Sequence, residues 1–215
     1  MIWLVRHGET TWNLAGRYQG RLESALTSLG ASQGFALADY FSARVANGEA
    51  VPTRAISSPL LRCTATARFV TSRLGIELAT DERLIEIGHG TWEGRYKDDL
   101  ERNDAATYRT WREHPERVNF DGGESLADVI ARWRTFAAER LSTSSEDTLV
   151  VTHDAVVRCA LLDVTARPLA DFWNVRVENA AFALLHATNG ALELIEECSV
   201  DHLAGVRAAT AGQAL

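Results

Sequence analysis

Two short apolar runs do most to fix the architecture open to this chain. Ile2 to Val5 and Thr148 to Thr152 have strand length and carry no charge; the first runs into Arg6-His7 and the second into His153. Runs of this kind read as buried strands, with the histidines at their exits. Between them the pattern turns helical. From Thr27, the residues Leu29, Phe35, Leu37, Phe41 and Val45 recur at a helical period that closes near Asn47-Gly48. Arg54 to Ser57 predicts a second strand. Ser57-Ser58-Pro59 reads as a cap followed by proline in the first turn of a helix that runs to about Leu74, which puts Arg62 in that first turn. A longer helix from Glu124 to about Leu141 carries Leu126, Val129, Ile130, Trp133 and Phe136 on one side, and an apolar helical stretch from Val156 to Leu162 follows His153. Ala181 to Ala187 and Ala191 to Glu196 flank Thr188-Asn189-Gly190, which is hairpin chemistry. Strands alternating with helices predict an α/β fold: a three-layer α/β/α sandwich with a mostly parallel central sheet.

With 215 residues, 46% of them hydrophobic, the chain can bury one substantial core. One domain is expected over residues 1–205, with an Ala-rich tail, 206–215, expected to be disordered. Residues 88–122 interleave glycines with tryptophans and charges, and are expected as loops and short helices walling the site. A net charge of −7 and a pI near 5.4 argue against nucleic acid or an anionic membrane as partner, so any phosphate must be held locally. Cys63, Cys159 and Cys198 are odd in number and widely spaced, which fits neither a disulfide framework nor a zinc knuckle and points to the reducing cytoplasm. No uncharged stretch approaches the about 18 residues a spanning helix needs, and no leader pattern opens the chain.

In open α/β sheets, ligands bind outside the carboxyl ends of strands, where His7 and His153 are both expected. Arg6 and Arg62 are expected on the same side, where two guanidinium forks can grip the oxygens of a phosphate. The remaining histidines, His89, His114, His186 and His202, lack a partner at informative spacing and are read as solvent-facing or structural. Cys63 is read as a buried structural thiol.

These residues sit inside a longer set of motifs. Arg6-His7-Gly8-Glu9-Thr10, Trp12-Asn13, Gly16-Arg17, Gln19-Gly20 and Leu26-Thr27 with Gly30 resemble the signature of the histidine phosphatase superfamily, the phosphoglycerate-mutase-like proteins. Ser57-Ser58-Pro59-Leu60 with Arg62, Thr64, Thr66 and Ala67 is similar to the family's second motif. Leu84 and Glu86 with Gly90-Thr91-Trp92-Glu93-Gly94 are similar to its third, and Gly123-Glu124-Ser125 and Val150-Val151-Thr152-His153 complete the family order. The resemblance implies that His7 is a nucleophile forming a phosphohistidine, and that Arg6, Arg62, His153 and Asn13 bind the phosphoryl oxygens. It implies that Glu86 is the proton donor. No metal or other cofactor is implied, and the partner is a small phosphorylated metabolite. Neighbouring arginines should keep His7 unprotonated.

The sequence departs from the family pattern in two places. Asp154 follows His153 where glycine is common, and its carboxylate is expected to favour a substrate with hydroxyl or amine groups. The loop near Glu23-Ser24-Ala25 lacks the usual aspartate and proline. Gln19, Gly20, Arg21, Glu23, Trp92, Tyr96 and Asp154 are the candidate substrate contacts. Cofactor-dependent mutases of the family carry a longer and more basic insertion, so a phosphatase is expected here, with the mutase as the alternative. A noncatalytic phosphoryl-binding protein and a zinc hydrolase are the readings from other classes, and two arginines beside the histidines would repel a metal. A homodimer is compatible with the sequence.

Overall fold

The computed structural model describes residues 1–142, 144–188 and 190–207. Strand β1 (Ile2–Arg6) leads to a one-turn helix α1 (Thr11–Leu14), then α2 (Ser28–Ala46), β2 (Arg54–Ser57), α3 (Leu61–Leu74) and β3 (Leu78–Thr80). Helices α4 (Lys97–Asn103) and α5 (Ala105–Glu113) precede the long α6 (Leu126–Arg140), β4 (Thr148–Thr152), α7 (Asp154–Val164), β5 (Phe182–Thr188) and β6 (Ala191–Ser199).

The strands form one sheet in the order β3-β2-β4-β1-β5-β6. The first four in that order run parallel, and β5 pairs antiparallel with β1 and β6. Alternation along each strand divides the core. Ile2, Leu4, Val150, Ala183 and Leu185 pack with α6 and α7, whereas Trp3, Val5, Leu149, Val151 and Phe182 pack with α2 and α3. The result is the expected three-layer sandwich, and each fully buried aliphatic or aromatic side chain contributes about 1.5–3 kcal/mol.

Helix α2 begins where the sequence places it, because Thr27 caps the Gly30 amide at 3.0 Å. Its buried stripe differs from the expected one. Gly30, Gly34, Leu37, Ala38 and Phe41 face the core, while Phe35 and Val45 are exposed. At 100° per residue, Phe35 lies too far around the helix to share a face with Leu37 and Phe41. Gly30 is required by contact: a Cβ there would sit 2.1 Å from the Glu9 carbonyl oxygen, and one on Gly8 would sit 2.7 Å from the Gly30 oxygen.

Helix α3 begins later than the Ser-Ser-Pro cap suggests. Leu60 occupies the capping position without a side-chain bond, and the Leu61 amide donates to the Glu23 carboxylate at 3.0 and 3.1 Å. Strand β3 has no counterpart in the sequence reading, being three partly exposed residues at the sheet edge. Within residues 88–122, Trp92, Leu100, Tyr108, Trp111 and Phe120 are buried, so this segment extends the α6/α7 core. The hairpin residue Asn189 and residues 208–215 of the expected tail lie outside the described residues; Val206 accepts a hydrogen bond from Gln33 Nε2 at 3.1 Å. Among the described residues, no helix is long and apolar enough to cross a membrane.

Candidate active site

The parallel register pairs Arg6 with Thr152, so β1 and β4 deliver their next residues, His7 and His153, side by side. The His7 amide donates to the Thr152 carbonyl at 2.9 Å, and the two imidazole centroids are 5.3 Å apart.

Hydrogen bonds fix the tautomer of each ring. Nδ1 of His7 lies 2.7 Å from the Gly8 carbonyl, which can only accept, so Nδ1 carries the proton and Nε2 presents its lone pair. Burial, then Arg62 and Arg6, hold the His7 pKa well below its usual value despite that carbonyl. Arg62 Nε donates to Nδ1 of His153 at 3.2 Å, which leaves the proton on Nε2, directed at Ser58 Oγ 2.8 Å away. Burial and then Arg62 also keep His153 neutral. Arg62 is held by the Leu22 and Gly20 carbonyls at 2.8 and 2.7 Å, and each terminal nitrogen retains a second hydrogen.

Arg6, His7, Asn13, Gln19, Gly20, Glu86, His89 and Asp154 line a small pocket. Thr10 N and Asn179 Nδ2 donate to the Asn13 carbonyl oxygen at 3.1 and 3.3 Å, so the Asn13 amide nitrogen is left to donate elsewhere. Glu86 sits on the segment leaving β3, whose Leu84 carbonyl accepts from Thr152 Oγ1 at 2.6 Å. Burial raises the Glu86 carboxyl to about 7; the Ile87 amide, Arg62 and Arg6 oppose that rise and Asp154 adds to it. The pocket therefore combines a neutral imidazole with an open lone pair, the Arg6 guanidinium and a carboxylic acid that holds its proton near neutrality, with Arg62 anchored behind it on His153 and the Gly20 and Leu22 carbonyls. That is the equipment of phosphoryl transfer to nitrogen.

Residues 2–197 match the sequence profile of the histidine phosphatase superfamily, branch 1. The chain belongs to the histidine phosphatase superfamily. Among curated members, it is 36% identical to phosphoserine phosphatase 1 of Hydrogenobacter thermophilus, over 85% of this chain and 84% of that protein. It is 30% identical to the adenosylcobalamin/alpha-ribazole phosphatase of Salmonella typhimurium, over 88% and 91%. Yersinia members bearing a phosphoglycerate mutase name also match, at 30%. Among solved structures, YhfR of Bacillus stearothermophilus superposes with a TM-score of 0.86 at 26% identity, over 94% of this chain and 98% of that one.

For this member of the histidine phosphatase superfamily, the substrate contacts expected from sequence divide into two groups. Gln19, Gly20 and Asp154 line the pocket. Arg21 lies in an adjoining outer cleft with Glu93 and Asp121, and pairs with Glu124 at 3.2 Å. Glu23 is tied to the start of α3. Trp92 is buried away from the pocket, its Nε1 donating to Asp104 at 2.7 Å, and Tyr96 is exposed beside Arg17. Those two side chains serve packing and the outer surface, because the wall segment turns its aromatic face into the core. His89, read from sequence as solvent-facing or structural, is buried against Tyr18 and Phe120 at the edge of the pocket, with its pKa pushed down to about 3 by burial. Sequence reasoning passed over Arg158 and Asn179. Asn179 donates to the His7 carbonyl at 3.2 Å from the loop before β5, at a chain distance no local pattern reveals.

Proposed function

We propose that this chain is a phosphatase that hydrolyses a small organic phosphomonoester through a phosphohistidine on His7. The observation that carries the proposal is the buried, neutral His7 with Nδ1 tied to Gly8 and Nε2 open toward a pocket that also holds Arg6 and Glu86.

In the first step, Nε2 of His7 forms a bond to phosphorus as the ester P–O bond breaks, and Glu86 gives its proton to the departing oxygen. In the second, the Glu86 carboxylate takes a proton from water, the water oxygen bonds to phosphorus, and the P–N pair returns to Nε2 as phosphate leaves. Arg6, Arg62, His153 and the Asn13 amide would hold the equatorial oxygens, where charge accumulates, His153 by exchanging its Nε2–H bond to Ser58 Oγ for one to the phosphoryl group. Positive charge from the two arginines supports a reaction without metal. Among the described residues, no group of three or more His, Cys, Asp or Glu side chains is arranged to hold one.

Hydrolysis is favoured over mutase action by the wall segment. Arg95 pairs with Asp99 at 2.8 Å, Arg117 with Glu116 at 3.2 Å, and Arg112 lies over the Trp173 ring at 4.1 Å. These cations are engaged by Asp99, Glu116 and the Trp173 ring, which suits one phosphate better than two. The names of the phosphatase relatives favour the same choice and direct the substrate panel toward phosphoserine and ribazole phosphate.

The test is phosphate release from phosphoserine, ribazole phosphate, sugar phosphates and phosphoglycerates with chelator present, combined with rapid-quench trapping of an acid-labile phosphoprotein. Release and trapping that both vanish in His7→Ala are expected. Isomerised phosphoglycerate without release would make the chain a mutase, and binding without turnover would make it a noncatalytic receptor.

A further inference from the structure

Asp154 is the residue at which the sequence departs from the family pattern beside His153, and its surroundings give it a specific task. It opens α7 and is 5% exposed. Its Oδ1 accepts from Arg158 Nε at 2.7 Å, one helical turn on, and its Oδ2 lies 3.3 Å from Arg6 Nη1 and 3.4 Å from Arg158 Nη2. Arg158 Nη1 donates in turn to the Phe172 carbonyl at 3.1 Å and to the Val175 carbonyl, with its guanidinium over the rings of Phe172 and Trp173. Arg6 Nη1 donates to the Val177 carbonyl at 2.7 Å. Arg6, Asp154, Arg158 and residues 172–177 thus close a ring of bonds behind the pocket. Both carboxylate oxygens of Asp154 already have arginine partners, which disfavours direct capture of a substrate amine. What remains free to act is the charge itself, because Asp154 and Glu86 line the same pocket.

We infer that Asp154, anchored by Arg158, is a positioning residue that acts through its neighbours: it fixes the Arg6 guanidinium beside the phosphoryl site and holds the proton on Glu86. The inference rests on the phosphatase reading above. Glu86 faces Arg6 and His7 from the end of β1, Arg62 from α3, His89 from its own segment and Asp154 from α7. His7 and His89 are neutral, so the charged neighbours are two arginines, which draw the proton off, and one carboxylate, which keeps it on. Burial also retains the proton, and Asp154 counters the arginines. Arg158 sets how strongly it does so, by pinning the carboxylate and sharing its charge.

The experiment compares an alkyl phosphomonoester, whose alkoxide needs a proton to leave, with 4-nitrophenyl phosphate, whose phenolate does not. In Asp154→Asn, kcat/KM for the alkyl ester should fall roughly tenfold more at pH 8 than at pH 5.5, with a much smaller pH-dependent change for the aryl ester. Arg158→Met should move the upper limb of the alkyl profile the other way, to higher pH. Because either variant could fold poorly, a second readout is the infrared carbonyl band of protonated Glu86 at pH 6.5, assigned by its loss in Glu86→Gln; Asp154→Asn should weaken it. Equal losses at every pH and for both leaving groups, or an unchanged infrared band, would overturn the inference and leave Asp154 a packing residue. If the wild-type chain hydrolyses neither ester while the band still responds to Asp154→Asn, the phosphatase reading fails and the charge coupling stands.

Discussion

Arg62 Nε donates to Nδ1 of His153 at 3.2 Å, and that one bond decides which imidazole nitrogen of His153 carries the proton. Lysine cannot reproduce it, since an ammonium lacks the fork that also reaches the Gly20 and Leu22 carbonyls. Arg62→Lys is therefore expected to lower kcat/KM about 10²–10³-fold, the size associated with losing one oriented donor to a transition state. It should also lower the melting temperature, because buried acceptors left unpaired cost about 1–3 kcal/mol each. Steady-state kinetics and thermal unfolding of the same preparation check both.

The acid and the nucleophile should set the limbs of the pH–rate profile. His7 must be neutral, and burial beside Arg62 and Arg6 holds its pKa well below the usual 6.5, so the acid limb should lie below that of a free imidazole. Glu86 must be protonated and titrates at about 7, so kcat/KM for an alkyl phosphate should decline above neutrality. Glu86→Gln should remove that upper limb and reduce kcat about 10²–10⁴-fold. A profile that still rises through pH 9 would remove Glu86 from the acid role.

The same carboxyl links stability to pH. Its folded pKa lies above the unfolded value, so the folded state binds the proton more tightly. The stabilising contribution is complete below pH 4.5 and is lost as pH rises to about 7. The loss corresponds to about 3 kcal/mol. Glutamine imitates the protonated acid and does not titrate. Glu86→Gln should therefore melt above the wild type at pH 8 and show no such advantage at pH 4.5, a comparison that calorimetry makes directly.

The fold was legible wherever the residues that decide an element are close in sequence. Thr148–Thr152 is uncharged and β-branched at every position but Leu149, and Thr27 caps α2 with its own hydroxyl, so both were placed by local pattern alone. Ser58 misled because its hydroxyl serves His153, from a distant strand end, and Glu23 supplies the bond at the start of α3 instead. The sequence named His7, Arg6 and Glu86, which share the pocket, because motif order carries them. Asn179 and Arg158 act across long chain separations, where only the folded backbone shows which carbonyl or carboxylate each will meet. Trp92 stands beside Glu93 and Gly94 in sequence, yet its ring turns inward.

That inward turn makes Trp92 a test of where the wall ends and the site begins. Its ring packs on Tyr18 and Phe120, with centroids 5.2 and 5.1 Å away, and Nε1 bonds Asp104. Trp92→Phe keeps an aromatic ring and loses that bond, so unfolding should be easier by about 1–2 kcal/mol. KM should stay within about threefold of wild type, since ring and substrate do not meet. A large rise in KM with unchanged stability would return Trp92 to the substrate contacts.

The close approach of Gly8 and Gly30 connects the packing of α2 to the chemistry. A methyl group on Gly30 would lie 2.1 Å from the Glu9 carbonyl oxygen, a backbone atom that cannot rotate aside. Relief requires α2 to retreat or the His7–Thr10 segment to shift. The second course would break the Thr27 amide bond to the Glu9 carbonyl, 2.9 Å, and the Gly8 amide bond to Thr66 Oγ1, 3.0 Å. Overpacking of this kind costs about 1–3 kcal/mol. The Gly8 carbonyl also fixes the His7 tautomer at 2.7 Å, so displacement there affects the nucleophile itself. Gly30→Ala should therefore lower both the melting temperature and kcat, with the loss of kcat persisting at temperatures where the variant is fully folded. A variant that melts early but turns over normally when folded would show that α2 yields and the His7 loop does not.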